Sequence, residues 1–380
     1  MSVTDLEIIV GTYEEFLLGY KIIAKGNNKC RLVQSFADHS HRASVRSVSA
    51  KGRYLASGSA DETITLYDMK SRKETGTLVQ HHGTVNCLSF SPNGSHLLSG
   101  SEDGSIAVFR TGSWQVEKVF PKAHKGEAVT CISVHPSGKL ALSVGTDATL
   151  RTWNLVKGRQ AYATNLGKNR TGNGRGITSL LWSPDGSYYV IAIGTEVNVY
   201  DVATAGVIHT FQLKKKITCA CFSQGTELVI GDEGGGLSFH SIPKKKQLRV
   251  IEAHENRVKC VTCSNIGEEK FLISASSGGE IKLWHYEDGD LRELCKTDSD
   301  CRITCLVVLL HTKSMENQPK IKKEKEVVLS DIDRTATSEK KSKSKRKNSE
   351  MSPESSKVSR NSLSLDVVCT RGQKWIVEEL

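Results

Sequence analysis

No run of apolar residues in this 380-residue chain reaches the roughly 18 that a membrane-spanning helix needs, so a membrane is not among the expected partners. Its first residues, Met1 to Glu7, have no basic segment followed by an apolar stretch, which argues against a secretory signal. Proline is scarce, at 7 residues, and that excludes proline-rich and collagen-like classes. A Walker-type loop ending in Lys-Ser or Lys-Thr is missing. Gly231 to Gly236 is glycine-rich, but it lies between two strand patterns rather than between a strand and a helix, and it reads as a turn. Acidic residues are outnumbered: 42 Asp and Glu stand against 52 Lys and Arg, a net charge of +10 that favours an anionic partner. The cysteine count, 11, is odd in a chain without a signal, which points to reduced thiols in the cytosol or nucleus. Glycine, by contrast, is plentiful at 32, so many tight turns are expected. At about 150 residues per domain, the length allows two or three domains or one large β domain.

A repeat decides between these. A β-branched residue, a polar one and a small one recur as Val45-Arg46-Ser47, Val85-Asn86-Cys87, Val129-Thr130-Cys131, Ile177-Thr178-Ser179, Ile217-Thr218-Cys219, Val258-Lys259-Cys260 and Ile303-Thr304-Cys305. The steps are 40, 44, 48, 40, 41 and 45 residues, the period of a four-stranded propeller blade. Behind the first three triplets come Ser57, Asp61 and Tyr67, then Ser99, Asp103 and Phe109, then Ser143, Asp147 and Trp153, each set spaced by four and then six residues. The Asp falls in a hairpin turn, where Asp and Gly are favoured, and alternating apolar residues on either side make half-buried strands. Blades four to six keep the strands and lose parts of the motif. In blade six Gly278 stands where the turn Asp would be, so blade three alone is expected to keep the full set.

The seventh strand pattern, 303–308, is followed only by a polar tail, while the N-terminal strands within 6–37 lack a first strand. The expectation is an all-β, seven-bladed WD40 β-propeller over residues 1–310, its last blade closed by those two segments. Residues 311–380 are expected to form a disordered basic tail, with 16 Lys and Arg against 11 Asp and Glu.

These registered repeats resemble the WD40-repeat family over about 310 positions. A narrower resemblance is carried by His135 to Asp147, by Thr149 to Val156 and by Ala253 to Lys259. These segments look like the branch of nucleolar WD40 proteins that interact with p21-activated kinase. The resemblance implies two roles, assembly of the large ribosomal subunit and inhibition of the kinase. Inhibition would act by binding the kinase N-terminal regulatory region, so that Rho-family GTPases cannot activate it. The implied partners are that regulatory segment and pre-60S ribosome assembly factors, with ribosomal RNA as a further candidate. The implied state is a monomer within larger complexes in the nucleus and nucleolus. His124, Ser143, Asp147 and Trp153 match the family's structural tetrad, in which hydroxyl, imidazole, carboxylate and indole hydrogen-bond across strands. A constellation that repeats from blade to blade is scaffold, so no catalytic residue and no cofactor is assigned.

Cys219-Ala220-Cys221 and Cys260-Val261-Thr262-Cys263 invite a zinc reading, but a structural site needs four ligands on one centre. Cys87, Cys131, Cys219, Cys260 and Cys305 share one register in five blades, and Ser47 and Ser179 fill it elsewhere. That alternation asks for a small side chain in a crowded strand, and no metal is expected.

In this fold the loops leading into each first strand lie on one face. Basic residues cluster there on neighbouring blades: Lys168, Arg170 and Arg175 before blade four, Lys214, Lys215 and Lys216 before blade five, and Arg257 and Lys259 entering or beginning blade six. This rim is expected to bind an acidic or phosphate-bearing partner, whereas Lys244 to Lys246 fall on the opposite face. In the tail, Lys340, Lys341, Lys343, Lys345, Arg346 and Lys347 form a dense basic run that reads as a nuclear localisation signal. Ser349 and Ser352-Pro353 lie just downstream, and phosphates there would offset its charge. The end, Lys374 to Leu380, departs from the lysine-rich end the resemblance implies; it is a short docking segment or an alternative product. Two rival functions remain, direct RNA binding and a substrate receptor of a ubiquitin ligase. Many such receptors carry an Arg two residues after the Trp-Asp or Trp-Asn pair; here Trp153-Asn154 is followed by Leu155-Val156.

Overall fold

The alternating apolar residues and turn formers resolve into twenty-eight β-strands, β1 to β28 in chain order, in the computed structural model, which describes residues 5–25, 29–166, 176–287 and 290–311. Among these residues there is no α-helix, and the strands form seven four-stranded antiparallel sheets. Six sheets are contiguous in sequence, the first running from β4 (Val45–Lys51) to β7 (Lys73–Leu78) and the sixth from β24 (Val258–Ile266) to β27 (Asp290–Asp298). The seventh has the order β28 (Ile303–Leu310), β1 (Leu6–Thr12), β2 (Leu17–Lys25), β3 (Lys29–Asp38). Its chain ends meet where Leu6 pairs with Leu310 and Thr12 with Ile303. The strand that begins at Ile303 thus runs two residues past the 303–308 read from the sequence, because Leu309 and Leu310 still find partners in Glu7 and Leu6. His311, placed in the tail by the sequence, belongs to the propeller: its backbone N–H donates to Asp5 O at 2.8 Å and its ring meets Glu7. The rest of 311–380, with the basic run Lys340 to Lys347, lies outside the described residues.

The first strands touch in ring order, β28, β4, β8 (Val85–Phe90), β12 (Val129–Val134), β16 (Ile177–Trp182), β20 (Ile217–Gln224), β24 and back to β28. Each carries a β-bulge after its first residue, which re-aims the second residue of the triplet. In three blades that residue ties its blade to the next. Asn86 Nδ2 donates to Val129 O at 3.0 Å, Thr218 Oγ1 donates to Val258 O, and Thr304 Oγ1 donates to Val45 O at 2.5 Å.

No blade buries its apolar surface alone. Every one of the seven hydrophobic clusters joins two neighbours, such as Leu142, Val144 and Leu150 of blade three with Ile177, Leu180 and Ile191 of blade four. The closing sheet makes two such joints. Leu6, Ile8, Val10 and Ile22 pack on Phe271, Ile273 and Leu283 of blade six, while Ile9, Leu17 and Phe36 pack on Leu55, Tyr67 and Met69 of blade one. At about 1.5–3 kcal/mol for each fully buried large apolar side chain, the N-terminal strands supply much of the ring's cohesion.

One polar lock accompanies them. Glu7, wholly buried in β1, accepts hydrogen bonds from Arg72 Nη2 at 2.9 Å, Ser35 Oγ at 2.5 Å and His311 Nε2 at 2.5 Å. Its partners come from the turn after the third strand of blade one, from β3 and from the residue following β28. Burial alone would raise its pKa, but the bonds from His311, Arg72 and Ser35 outweigh it and hold the carboxyl at about 2.

Candidate partner-binding face

Antiparallel alternation puts two sets of loops at one end of the ring. The links into each first strand lie beside the turns between second and third strands; we call this end the top. In four blades a histidine of the link is fastened to the turn by the same network. In blade three His124 Nε2 meets Ser143 Oγ at 2.7 Å, His124 Nδ1 meets Asp147 Oδ1 at 2.9 Å, and Trp153 Nε1 donates to Ser143 Oγ at 2.8 Å. Because the serine oxygen accepts from the indole, its own proton goes to Nε2. That assigns a neutral imidazole whose Nδ1–H donates to the carboxylate. Burial pushes the His124 pKa down, against the pull of Asp147, which favours this neutral state. The Asp147 carboxyl is pushed up by burial but more strongly held down by His124 and Thr149.

Blades one and two repeat the set through His41, Ser57 and Asp61 and through His81, Ser99 and Asp103, at 2.6–3.3 Å. Tyr67 donates to Asp38 Oδ2 of the closing blade at 2.9 Å. Phe109 packs in the core without a polar bond. Blade six corrects the sequence expectation that blade three is alone. His254 meets Ser274 Oγ at 2.8 Å, Trp284 Nε1 donates to the same oxygen at 2.9 Å, and His254 Nδ1 meets Glu280 Oε2 at 2.7 Å. The carboxylate moved two residues along the chain and gained a methylene, so its head arrives where Asp147 sits in blade three. Lys282 supports it, at 3.5 Å from Glu280 and donating to Ala253 O at 2.7 Å. The interval of ten residues between Ser and aromatic, shared by all four sets, is the signal that finds blade six from sequence.

Beside Gly278 lies an open pocket of about 400 Å³ lined by Glu252, His254, Asn256, Gly278, Glu280 and Asp298 among others. The side chain of Asn256 leans over the gap, its Nδ2 2.6 Å from where a Cβ on Gly278 would stand.

The described part of the basic rim lies on this face. Lys214, Lys215 and Lys216 are exposed in the link into β20, and Arg257 is exposed ahead of β24. Lys215 lays its stem over Gly234, whose missing side chain makes the room. The glycine-rich segment is a turn between β21 (Glu227–Asp232) and β22 (Gly236–Ser241), with Gly235 at φ +87° crowded against His254 O. Lys168, Arg170 and Arg175 lie outside the described residues. The structure adds Arg46 to Lys259, bulge residues on the blades either side of Thr304, both acting on the Cys305 thiol. The opposite sector of the face, on blades seven, one and two, carries Glu14, Glu15, Glu62 and Glu102. It also shows Tyr13, half-exposed beneath the Arg302 guanidinium at 5.1 Å, and Phe16, stacked on His39 at 4.4 Å. The top is therefore polarised. Lys244 and Lys245 turn on the other end, between β22 and β23 (Lys246–Glu252), which Lys246 opens.

The cysteine register faces glycine or alanine across the first hairpin in four blades and valine in one. Cys87, Cys219 and Cys305 pair with Gly100, Gly231 and Gly11, and Cys131 and Cys260 pair with Val144 and Ala275. A Cβ on Gly231 would stand 2.6 Å from Cys219 Sγ and 2.9 Å from Val258. Burial pushes these thiols up, Cys131 and Cys305 to about 11 and Cys219 to about 12, so they remain protonated.

Residues 30–68, 72–110, 114–154 and 245–285 match the family described as WD domain, G-beta repeat, and residues 158–225 match the anaphase-promoting complex subunit 4 WD40 domain. Each repeat match begins at the outer strand of one blade and ends at the third strand of the next, so the unit of sequence bridges two blades. The chain is 39% identical to "p21-activated protein kinase-interacting protein 1-like" of Danio rerio, over 83% of this chain and 84% of that protein. It is 35% identical to "p21-activated protein kinase-interacting protein 1" of Homo sapiens, over 80% and 77%. It is 29% identical to "Shk1 kinase-binding protein 15" of Schizosaccharomyces pombe, over 82% and 86%. Seven blades in one register, and this identity over most of both chains, mean that the chain belongs to the WD40-repeat family, among the p21-activated protein kinase-interacting protein 1-like proteins.

Proposed function

We propose that this chain is a non-catalytic scaffold whose top face holds the N-terminal regulatory segment of a p21-activated kinase, and that it also works in nucleolar assembly of the large ribosomal subunit. The observation that carries the first part is the exposed run Lys214 to Lys216 with Arg257 on one sector of the face, in a chain whose relatives are named for binding kinases. The facing acidic sector gives the segment a direction: its acidic stretch lies over blades five and six, its basic stretch over blades seven and one. Holding the regulatory region in this way keeps Rho-family GTPases from it. The second part rests on the resemblance of the repeats and on the basic run Lys340 to Lys347, which suits import and pre-60S partners.

Reversing Lys214, Lys215 and Lys216 to Glu should weaken binding of the kinase segment, measured by fluorescence anisotropy, and the loss should shrink at high salt. Reversing Lys244, Lys245 and Lys246 should do little. Equal losses from the two ends would reduce the proposal to net charge alone. The same net charge of +10 favours a second reading, direct RNA binding. A steep fall of RNA affinity with salt in the isolated protein would support it.

A further inference from the structure

We propose that Cys30 and Cys295 form a reversible disulfide that ties the outer edge of the closing blade to blade six, with a small-molecule disulfide such as oxidised glutathione as the oxidant. The two residues are 265 positions apart in the chain, yet their Sγ atoms lie 2.9 Å from each other. A disulfide bond is about 2.05 Å long, so a shift of less than ~1 Å closes it. Cys30 is the second residue of β3 and Cys295, in β27, pairs with Leu283; both strands are the outermost of their sheets. Outer strands in this ring generally face solvent, as β15 (Arg159–Asn165) does along its whole length. Here β3 lies against β27, and Cys30, Leu32, Leu294 and Cys295 share one apolar cluster. The pair therefore sits on the seam of the one blade that is built from both ends of the propeller.

The chemistry is stepwise thiol–disulfide exchange. Cys30, half-buried, is the thiol an oxidant reaches, whereas Cys295 is 9% exposed. Cys30 loses its proton to water and its sulfur attacks one sulfur of oxidised glutathione, releasing the first glutathione thiolate. Cys295 then loses its proton and attacks Cys30 Sγ, breaking the mixed disulfide and releasing the second. Two protein thiols are oxidised and one glutathione disulfide is reduced to two thiols. Burial and the neighbouring sulfur push the Cys295 thiol up, which slows the second step, but the short Sγ separation gives it a high effective concentration. Cys221 and Cys263 lie 3.5 Å apart on the first strands of blades five and six, a second thiol pair that serves as an internal comparison.

The test uses the full chain in glutathione buffers running from fully reduced to strongly oxidised, quenched by alkylation and mapped by non-reducing peptide mass spectrometry. The expected result is a Cys30–Cys295 linked peptide, removed by reductant, with a rise in the thermal midpoint of the oxidised protein. Cys30→Ser and Cys295→Ser should each abolish both changes. If Cys295→Ser does not fold, Cys30→Ser at the half-buried position carries the test. A lasting glutathione adduct on Cys30 without a crosslink would overturn the proposal. So would a Cys221–Cys263 link in its place, or a Cys30–Cys295 link that leaves the midpoint unmoved.

Discussion

Replacing Glu7 by Gln should loosen the ring at its seam, and the size of the effect follows from the carboxylate's surroundings. Glu7 is wholly buried and reaches Arg72 of blade one, Ser35 of β3 and His311 beyond β28, so its single charge joins all the segments that meet at the closure. Its pKa falls from 4.5 to about 2, and at about 1.4 kcal/mol per unit this is worth about 3 kcal/mol of folding stability. Gln keeps the shape and loses the charge, leaving Arg72 without its counter-ion in a partly buried place, which costs a similar amount.

The sign in pH is fixed by the direction of the shift. A depressed carboxyl stabilises fully above its unfolded pKa of 4.5, and the gain disappears as pH falls toward about 2. Urea unfolding followed by circular dichroism should therefore show Glu7→Gln weaker than the parent by about 3 kcal/mol at neutral pH, with the gap closing below pH 4.5. A variant within ~0.5 kcal/mol of the parent at neutral pH, the scatter of an ordinary surface change, would refute the lock. A gap that stays constant on acidification would refute the charge argument while leaving a packing role.

Three further outcomes are expected. Asp147→Ala and Glu280→Ala should each destabilise by about 1–3 kcal/mol, since either leaves a buried imidazole N–H without an acceptor, and equal thermal shifts would check the pairing of blades three and six. His240 is held at about 4 by burial, and then by the charge of His209. The unfolded chain takes up that proton first, so stability should fall as pH drops from 6.5 to about 4, by up to about 3 kcal/mol, and His240→Phe should flatten that slope. Changing Lys340, Lys341, Lys343, Lys345, Arg346 and Lys347 to Ala should move a fluorescent fusion toward the cytoplasm. A mutant still concentrated in nucleoli would transfer targeting to the propeller.

The ring was legible because a blade is a local object: the triplet beginning Val45, Val85 and Val129 carries the first strand, and the Ser57-to-Tyr67 interval carries the second hairpin. Period alone also pairs the orphan strand at Ile303 with the N-terminus, since an open sheet edge has to be paired. What the sequence hid were substitutions that conserve position in space rather than in the chain. Glu280 reaches the site of an Asp two residues earlier, and no fixed spacing reports that a longer side chain covers the difference. Glu7 reads in sequence as one charged residue in a run of apolar ones, Leu6 to Val10. Only the closure brings Arg72 and His311 onto it. Arg46 looks like an interchangeable member of a Val-polar-small triplet, and only the ring order sets it close enough to act on Cys305 of the closing blade.

The four His–Ser–acid sets bear on function in a way that a catalytic reading would miss. Ser57, Ser99, Ser143 and Ser274 are completely buried, and in blades three and six each already gives its proton to an imidazole and accepts one from an indole. A nucleophile needs a path to substrate, and these hydroxyls have none. What each set does is fasten the link into one blade to the turn beside it, which fixes the loops of the top face over blades one, two, three and six. Blades four, five and seven lack the histidine; in sequence, basic residues gather in the links into four and five, Lys168 to Arg175 and Lys214 to Lys216, and acidic ones at blade seven, Glu14 and Glu15. The fastened links spend their sequence on the network. The unfastened ones are free to vary in length and charge, and a loop of that kind on a rigid frame is where binding is placed. Grafting a His–Ser–Asp set onto blade five, through Leu213→His, Ile230→Ser and Gly234→Asp, which puts the His four residues before Ile217 and keeps Lys214 to Lys216, would test this trade. Partner binding should fall even if stability rises, whereas binding that survives an intact graft would separate the basic face from the blades without the network.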